Sequence, residues 1–435
     1  MKISVIGCGY LGAVHAACMA ELGHDVVGID VDERKVAELS AGRAPFFEPG
    51  LPEVLRRATA SGRLRFTTDM TEAAGAQVHF VAVGTPQTAG SHAADLSYVD
   101  AAVTGLLPHL SDGDLVVGKS TVPVGTAARL ADLLRASSSG AVLAWNPEFL
   151  REGFAVADTV SPDRFVYGVP AGAAGERATA LLDEVYATAL ATGTPRLVMD
   201  YATAELVKVS ANAFLATKIS FINAMAEIAE ATGADVTRLA DAIGHDARIG
   251  RKFLNAGLGF GGGCLPKDIR AFQARADELG LESLAFLADV DAVNLRRRAK
   301  VVDLAAELVG DVSGARVAVL GVAFKPDSDD VRDSPARDVA RALHARGASV
   351  RVYDPEANGT AARLAPELEY AVDADTALRD ADVVLVLTEW AEFRQLAPSR
   401  VGDLVAARRI VDARNVLDLA AWRAEGFEAR GLGRP

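Results

Sequence analysis

Lys2-Ile3-Ser4-Val5-Ile6-Gly7-Cys8-Gly9-Tyr10-Leu11-Gly12 is a short apolar β run that stops at a glycine turn and opens onto residues at helical spacing, Leu11 to Leu22. Val26 to Asp30 then reads as the next strand. Strand, turn, helix, strand is the opening of a doubly wound parallel sheet. The turn spells G-x-G-x-x-G, whose glycines allow a tight bend and let the backbone approach a pyrophosphate seated on the helix N-terminus. Asp30 at the end of the second strand is placed to accept from ribose hydroxyls, which favours NAD over NADP because a 2′-phosphate is repelled. Lys35 weakens that preference slightly. Cys8 and Cys18 read as small packing residues rather than reactive thiols.

Outward from this unit, buried strands are expected at 78–83, 115–118 and 142–145, each ending in a loop rich in Gly, Pro, Thr or Asn. Such loops lie at the edge where ligands of these sheets gather. The stretches near 136–141 and 170–175 read as surface loops. From about Ala202 to Ala231 a helical pattern runs without Gly or Pro, and helices continue to about Val309. At Arg316 the opening plan repeats, with strands at 316–321, 349–354 and 383–387 and a helix near 336–346. The second copy lacks the three-glycine fingerprint. The expected architecture is α/β: a dinucleotide-binding Rossmann-like domain over 1–200, a helical domain over 201–310 and a second Rossmann-like domain over 311–435.

With 435 residues, half of them hydrophobic, the chain is long enough for two or three cores. Its formal charge of −13 argues against nucleic-acid or anionic-membrane surfaces, which need a clustered basic face. An acidic ligand must meet local Lys and Arg. Three widely spaced cysteines exclude a disulfide framework and show no metal-ligand spacing. Nothing resembles a signal peptide or a run of about 20 apolar residues able to span a bilayer, so a cytoplasmic enzyme without a metal is expected.

Three further groups carry chemistry. In Phe260-Gly261-Gly262-Gly263-Cys264-Leu265-Pro266-Lys267-Asp268 the glycines admit a ligand beside a cysteine at a helix start. There the helix terminus and Lys267 favour thiolate, and Asp268 lies one turn on; an inert cysteine in a glycine turn is the plain alternative. Glu205, Lys208 and Asn212 share a helix face at spacings of three and four. Such a stripe is usually solvated, but Leu206, Val207, Val209, Ala213 and Phe214 around it predict a partly buried Lys208 suited to an oxyanion. Finally, the loops 118–123, 146–153 and 324–332 follow strands at the binding edges, although turn chemistry explains any one of them equally well.

Together with Val83-Gly84-Thr85-Pro86, Asp95-Leu96-Ser97-Tyr98-Val99, Ser120 to Thr126, Asn146 to Gly153, Arg248-Ile249-Gly250 and Phe253-Leu254-Asn255-Ala256-Gly257, these residues closely resemble the UDP-glucose and GDP-mannose dehydrogenases over essentially the whole chain. The UDP-glucose 6-dehydrogenase branch is the closer likeness. The resemblance implies four-electron oxidation of UDP-glucose to UDP-glucuronate, of use in polysaccharide biosynthesis, with two NAD consumed per sugar. A sugar aldehyde is captured by Cys264, oxidised to a thioester and released by water, so that a reactive aldehyde does not escape. It also implies that Lys208 and Asn212 stabilise oxyanions, that Asp268 positions water, and that Thr121 and Glu148 hold a water that takes protons. Gly7, Gly9, Tyr10, Leu11, Gly12, Asp30, Lys35, Thr85, Thr121, Glu152, Lys267 and Arg332 are the implied cofactor contacts. Glu148, Phe149, Leu150, Arg151, Glu152, Lys208, Asn212, Arg248, Phe253 to Gly257, Gly261 and Lys325 are the implied nucleotide-sugar contacts. Arg248 resembles an arginine that reaches across a subunit interface, which implies a homodimer or higher oligomer.

Two positions depart from the pattern: Gly263 stands where serine is common, and Leu265 where UDP-glucose enzymes often have phenylalanine. Leu265 is shared with GDP-mannose enzymes, while Thr388-Glu389-Trp390 with Phe393 and the 248–257 stretch favour the UDP-glucose branch. GDP-mannose oxidation by the same chemistry is the nearest alternative. A two-electron dehydrogenase with Lys208 as acid/base leaves Cys264 unexplained, and a nucleotide-sugar sensor leaves Cys264, Lys208, Asn212 and Asp268 unexplained together.

Overall fold

The apolar runs that open each end of the chain become the central strands of two sheets. In the computed structural model, which describes residues 1–435, the first sheet contains β1 (Lys2–Ile6), β2 (Asp25–Ile29), β3 (Leu64–Thr67), β4 (Val78–Val81), β5 (Leu115–Gly118), β6 (Val142–Trp145), β7 (Phe165–Gly168) and β8 (Arg196–Met199). Their order is β3-β2-β1-β4-β5-β6-β7-β8. β1 carries no exposed residue after Lys2, as expected of a strand covered on both faces. The helix Tyr10–Glu21 lies on this sheet and buries nine consecutive residues, Gly12 to Ala20. It is enclosed by the helices Leu51–Ala60 and Ala155–Val160, so its small residues occupy every side rather than a stripe.

One edge departs from the expected parallel sheet. β7 meets β6 antiparallel through the single pair Trp145 and Gly168, while β7 and β8 run parallel to each other. The stretch 170–175 is also only partly a loop. A helix starts at Ala173, and a Cβ on buried Gly175 would come within 1.9 Å of the Pro170 carbonyl oxygen, so glycine is fixed there by close packing.

The second sheet contains β9 (Arg316–Leu320), β10 (Ser349–Tyr353), β11 (Glu369–Tyr370), β12 (Val383–Val386), β13 (Arg409–Asp412) and β14 (Glu428–Gly431). Its order, β11-β10-β9-β12-β13-β14, repeats that of the first six strands, so the likeness between the two ends of the sequence extends to topology. Every pairing in it is parallel. Its carboxylate Asp354, at the position corresponding to Asp30, is consumed internally. It accepts from the main-chain nitrogens of Val322 and Ala323 at 2.8 and 2.9 Å and from Trp390 Nε1 at 3.2 Å.

The sheets belong to two units: Met1–Ala211 with Ala274–Gly280, and Asn212–Gln273 with Leu281–Pro435. Helix Tyr201–Thr232 spans 32 residues and the division falls within it. No helix is long and apolar enough to cross a membrane.

Candidate active site

The glycine turn of the first unit has the form that a diphosphate requires. Gly7 adopts φ +89°, and a Cβ on Gly12 would meet the Gly7 carbonyl oxygen at 1.8 Å, so both positions are fixed by backbone contact. Gly9 differs, because nothing lies within 4 Å of where its Cβ would stand. Helix Tyr10–Glu21 has no side-chain cap and no acid in its first turn, which leaves its first N–H groups available to an anion. Asp30 accepts from Cys8 N and from the Lys35 ammonium, each at 2.8 Å. Lys35 therefore sits on the carboxylate expected to accept from the ribose hydroxyls. Cys8 and Cys18 are buried; burial lifts both thiols, Cys18 to about 12, in keeping with packing roles.

At the carboxyl ends of β4, β5 and β6 the loops are tied to one another. Thr85 Oγ1 donates to the Thr121 carbonyl at 2.8 Å and Ser120 Oγ to the Val83 carbonyl at 2.6 Å. Glu148 bends over its own loop to accept from Leu150 N at 2.8 Å, and its other oxygen meets Lys208 Nζ at 3.0 Å. The Phe149 ring lies between Arg164, 3.8 Å from its centroid, and Lys208, at 5.5 Å. Arg151 is held by Asp158 through its main-chain N, Nε and Nη2. Glu48, unnoticed in the sequence, anchors the end of this loop by accepting from Gly153 N and Ala155 N, both at 2.7 Å, and from the Tyr10 hydroxyl. A residue of the glycine turn is thus linked to the 146–153 loop through one buried carboxylate.

The polar stripe on the long helix is buried throughout: Glu205, Lys208 and Asn212 are all inaccessible, whereas Leu206 and Phe214 are exposed. The expected burial of Lys208 is right; of the apolar residues around it, Val209 and Ala213 are buried as well, while Leu206 and Phe214 face solvent. Within the first unit Glu205 satisfies the start of helix Thr126–Ala136 by accepting from Gly125 N at 2.7 Å and Ala127 N at 2.6 Å. Burial raises its pKa against those bonds.

In the second unit Cys264 is exposed, unlike the other two cysteines. Helix Leu265–Glu278 follows it directly, with the Cys264 carbonyl accepting the first turn's bond from Asp268 N at 2.9 Å. Buried Asp268 accepts from Asn212 Nδ2 and from Lys267 Nζ, each at 2.6 Å. Lys267 therefore directs its charge to Asp268. The glycine loop before the cysteine is rigidly seated: Asn294 accepts from Phe260 N at 2.7 Å and donates to Phe260 O at 3.0 Å. A Cβ on Gly261 would strike the Asp333 carbonyl oxygen at 2.3 Å, and one on Gly263 the Arg332 guanidinium at 2.5 Å. The Arg332 group thus fills space beside Gly263.

Other expected residues of this unit stand nearby in sequence but apart in role. Gly257 N donates to Asn223 at 2.9 Å, and Asn255 and the Leu254 carbonyl accept from Arg251. Arg414 gathers the carbonyls of Gly259 and Phe324 at 3.1 and 3.0 Å, next to Lys325. Phe253 adopts φ +67°, and Ala256 is buried. Arg248 pairs only locally with Asp246, and 89% of its side chain is exposed. Asn294 and Arg414 carried no sequence signal, because an isolated Asn or Arg on a helix or after a strand reads as surface.

A Rossmann-type glycine turn with its acidic residue, a second sheet of the same order and an exposed cysteine at a helix start define a nicotinamide-dinucleotide-dependent oxidoreductase. Comparison with known proteins narrows this class. The NAD-binding domain of the UDP-glucose/GDP-mannose dehydrogenase family matches residues 1–190, its central domain 202–296 and its UDP-binding domain 318–419. A UDP-glucose 6-dehydrogenase of Rhizobium meliloti is 43% identical over 438 residues, covering 100% of both chains. Among solved structures, a UDP-glucose dehydrogenase from Pyrobaculum islandicum has a TM-score of 0.90 at 41% identity, covering 100% of this chain and 98% of that one. A UDP-D-ManNAc dehydrogenase from Pyrococcus horikoshii has a TM-score of 0.87 at 26% identity, covering 100% and 99%. The chain belongs to the UDP-glucose/GDP-mannose dehydrogenase family.

Proposed function

We propose that the protein oxidises UDP-glucose to UDP-glucuronate in two successive two-electron steps. NAD fits the open face of Gly9 and the uncapped helix start behind it, and when bound it supplies the hydride acceptor. The chain's own residues do the rest. Thr121 and Glu148 hold a water that takes the proton of the sugar's primary alcohol. The Cys264 sulfur then adds to the aldehyde carbon, giving a thiohemiacetal whose oxyanion is stabilised by Lys208 and Asn212. After the second oxidation the resulting thioester is cleaved by water positioned by Asp268, which releases the carboxylate and returns the thiol. Thr85, Glu152, Lys267 and Arg332 are assigned to the cofactor, and Phe149 to Arg151, Arg248, Phe253 to Gly257, Gly261 and Lys325 to the nucleotide sugar. Residues 1–200 carry the first role, 311–435 the UDP-sugar role, and 201–310 the cysteine loop and subunit pairing.

The observation that carries this reading is the exposure of Cys264 at a helix start, one turn from buried Asp268 and its donor Asn212, in a chain whose full-length relatives carry the UDP-glucose 6-dehydrogenase name. An inert packing cysteine has no use for such a setting. Three cysteines, none of them in a disulfide, are in keeping with a reducing, cytoplasmic setting. Pairing with a second copy is supported by Phe214, Phe221 and Ile228, exposed at seven-residue spacing on one helix, and by the exposed side chain of Arg248.

The test is stoichiometric. UDP-glucose, UDP-N-acetylmannosamine and GDP-mannose are each incubated with NAD or NADP, and NADH is counted per sugar consumed. UDP-glucose with NAD is expected to give two. One NADH per sugar, or preference for GDP-mannose, rejects the proposal. Cys264→Ser is expected to lose more than about 100-fold in turnover, and near-normal turnover by it removes the covalent step.

A further inference from the structure

The first unit buries two lysines, Lys119 and Lys208. Lys208 is paired with Glu148 at 3.0 Å, whereas no carboxylate lies within hydrogen-bonding distance of Lys119. Its hydrogen bonds go to Asn146 Oδ1 at 3.0 Å, the Asn146 carbonyl at 3.5 Å and the Tyr186 hydroxyl at 3.4 Å. The rings of Phe80 and Tyr186 lie 5.7 and 5.8 Å from its ammonium. An ammonium withdrawn from water onto neutral partners is costly, and burial pushes its pKa from 10.5 down to about 8. A methionine or leucine would fill the same volume without that cost. Packing therefore does not account for a lysine here.

Its position suggests what does. Lys119 is the first residue after β5, two before Thr121, and Asn146 is the first after β6, two before Glu148. The ammonium thus joins the roots of the two loops that carry the proton-handling pair. Asn146 is fully engaged, donating to the Val166 carbonyl at 2.9 Å and accepting from Tyr186 at 2.7 Å as well. The ionisable groups around Lys119 are Glu148 from the 146–153 loop, Lys208 from the long helix, His15 from the first helix and Tyr186. Burial keeps His15 and Tyr186 neutral, so only Glu148 and Lys208 share its field as charges.

We propose that Lys119 is a positioning residue for the oxidation: its ammonium fixes Asn146 and hence the approach of Glu148, and it adds a second positive charge, alongside Lys208, to the field at that carboxylate. This rests on the assignment of Glu148 as part of the proton-accepting pair. Lys119 touches neither sugar nor cofactor in this scheme.

The experiment compares Lys119→Met, Lys119→Arg and Glu148→Gln with wild type by kcat and KM across pH, with thermal melting alongside. Wild type is expected to lose activity through an alkaline step near pH 8. Lys119→Met is expected to melt no lower than wild type, to lose at least about 10-fold in kcat near neutral pH with little change in KM, and to lack that step. Lys119→Arg, which stays charged, is expected to retain turnover and lack the step as well. Near-wild-type turnover in Lys119→Met with the step intact overturns the proposal, as does a fall in melting temperature and activity together without a change in pH profile. Should Lys119→Met not fold, an alkaline step persisting near pH 8 in Lys119→Arg overturns it. Impaired Glu148→Gln beside normal Lys119→Met defeats this inference alone, whereas normal Glu148→Gln defeats the assignment of Glu148 and the inference with it.

Discussion

Glu148 Oε1 stands 3.0 Å from Lys208 Nζ, with only 14% and 7% of the two side chains accessible. A pair this deeply withdrawn is weak as a source of stability but costly to break, because the survivor is left charged and unpaired. An ammonium held beside the carboxylate that we propose helps to take protons is instead well placed for charge that develops during reaction. Lys208→Ala is expected to lose on the order of 10²–10³ in kcat, measured at saturating sugar and NAD. Loss confined to KM would mark Lys208 as a binding group only.

The glycine turn separates folding from cofactor binding. Gly12→Ala drives a methyl to within 1.8 Å of a carbonyl oxygen and should destabilise the first unit by more than about 3 kcal/mol. Gly9→Ala meets open space at φ −68°, so its melting temperature should match wild type. Its NAD dissociation constant should nevertheless rise at least about 10-fold, the equivalent of about 1.4 kcal/mol. Unaltered NAD affinity in Gly9→Ala would place the diphosphate elsewhere.

Asp268 uses one carboxylate oxygen for Asn212 and the other for Lys267, both at 2.6 Å. Asp268→Asn has a single acceptor oxygen and can no longer accept from both Asn212 and Lys267, a loss of about 1–3 kcal/mol. Both thermal stability and kcat should fall. Exchanging the two residues, Asn212→Asp with Asp268→Asn, restores a donor and an acceptor across the contact. The double variant should therefore regain part of the stability but not the activity, since the amide assigned to the oxyanion is gone; recovery of both would reduce the pair to a structural role.

The ends of the chain were legible because β1 and β9 are apolar runs covered on both faces, followed by turns whose glycines or carboxylates have backbone reasons to be there. β11, with two residues, and β8, whose first three residues are exposed, leave no such imprint. The reversal at β7 rests on one residue pair, too little for any pattern to record. The site was legible where neighbours in sequence act together, as from Cys264 to Asp268. It was opaque where partners are remote: Lys119 meets Asn146 and Tyr186 across 27 and 67 residues, and Glu48 meets Gly153 across 105. A lysine after a strand reads as a surface residue until those partners are in place.

Phe214 and Ile228 are 67% and 59% exposed, with Phe221 between them, while Ile222, Ala226 and Ala229 of the same helix are buried. Residues seven apart drift only about 20° around a helix, so the three form one apolar stripe. If the stripe is the interface of the proposed dimer, Phe221→Glu is expected to give monomers in light-scattering chromatography where wild type gives dimers. If Arg248 reaches the sugar from a partner subunit, the same variant should raise KM for the nucleotide sugar at least about 10-fold and leave NAD affinity unchanged. A dimer that survives this charge would put the interface on another face.

The lowered pKa of Lys119 also makes a statement about stability. Its fall from 10.5 to about 8 means that between those values the unfolded chain holds a proton the native state has released. Stability contributed by this group therefore rises with pH across that window and is lowest below it, where the native state must carry the buried charge. The shift corresponds to about 3 kcal/mol of destabilisation at neutral pH. Lys119→Met should remove it, giving a protein more stable than wild type at pH 7 by up to that amount, with the advantage shrinking toward pH 10. Chemical denaturation across this range checks the sign directly. A variant less stable at neutral pH, or an advantage that grows with pH, would mean that the ammonium is a net contributor to the fold and that the enzyme gives up nothing to keep it.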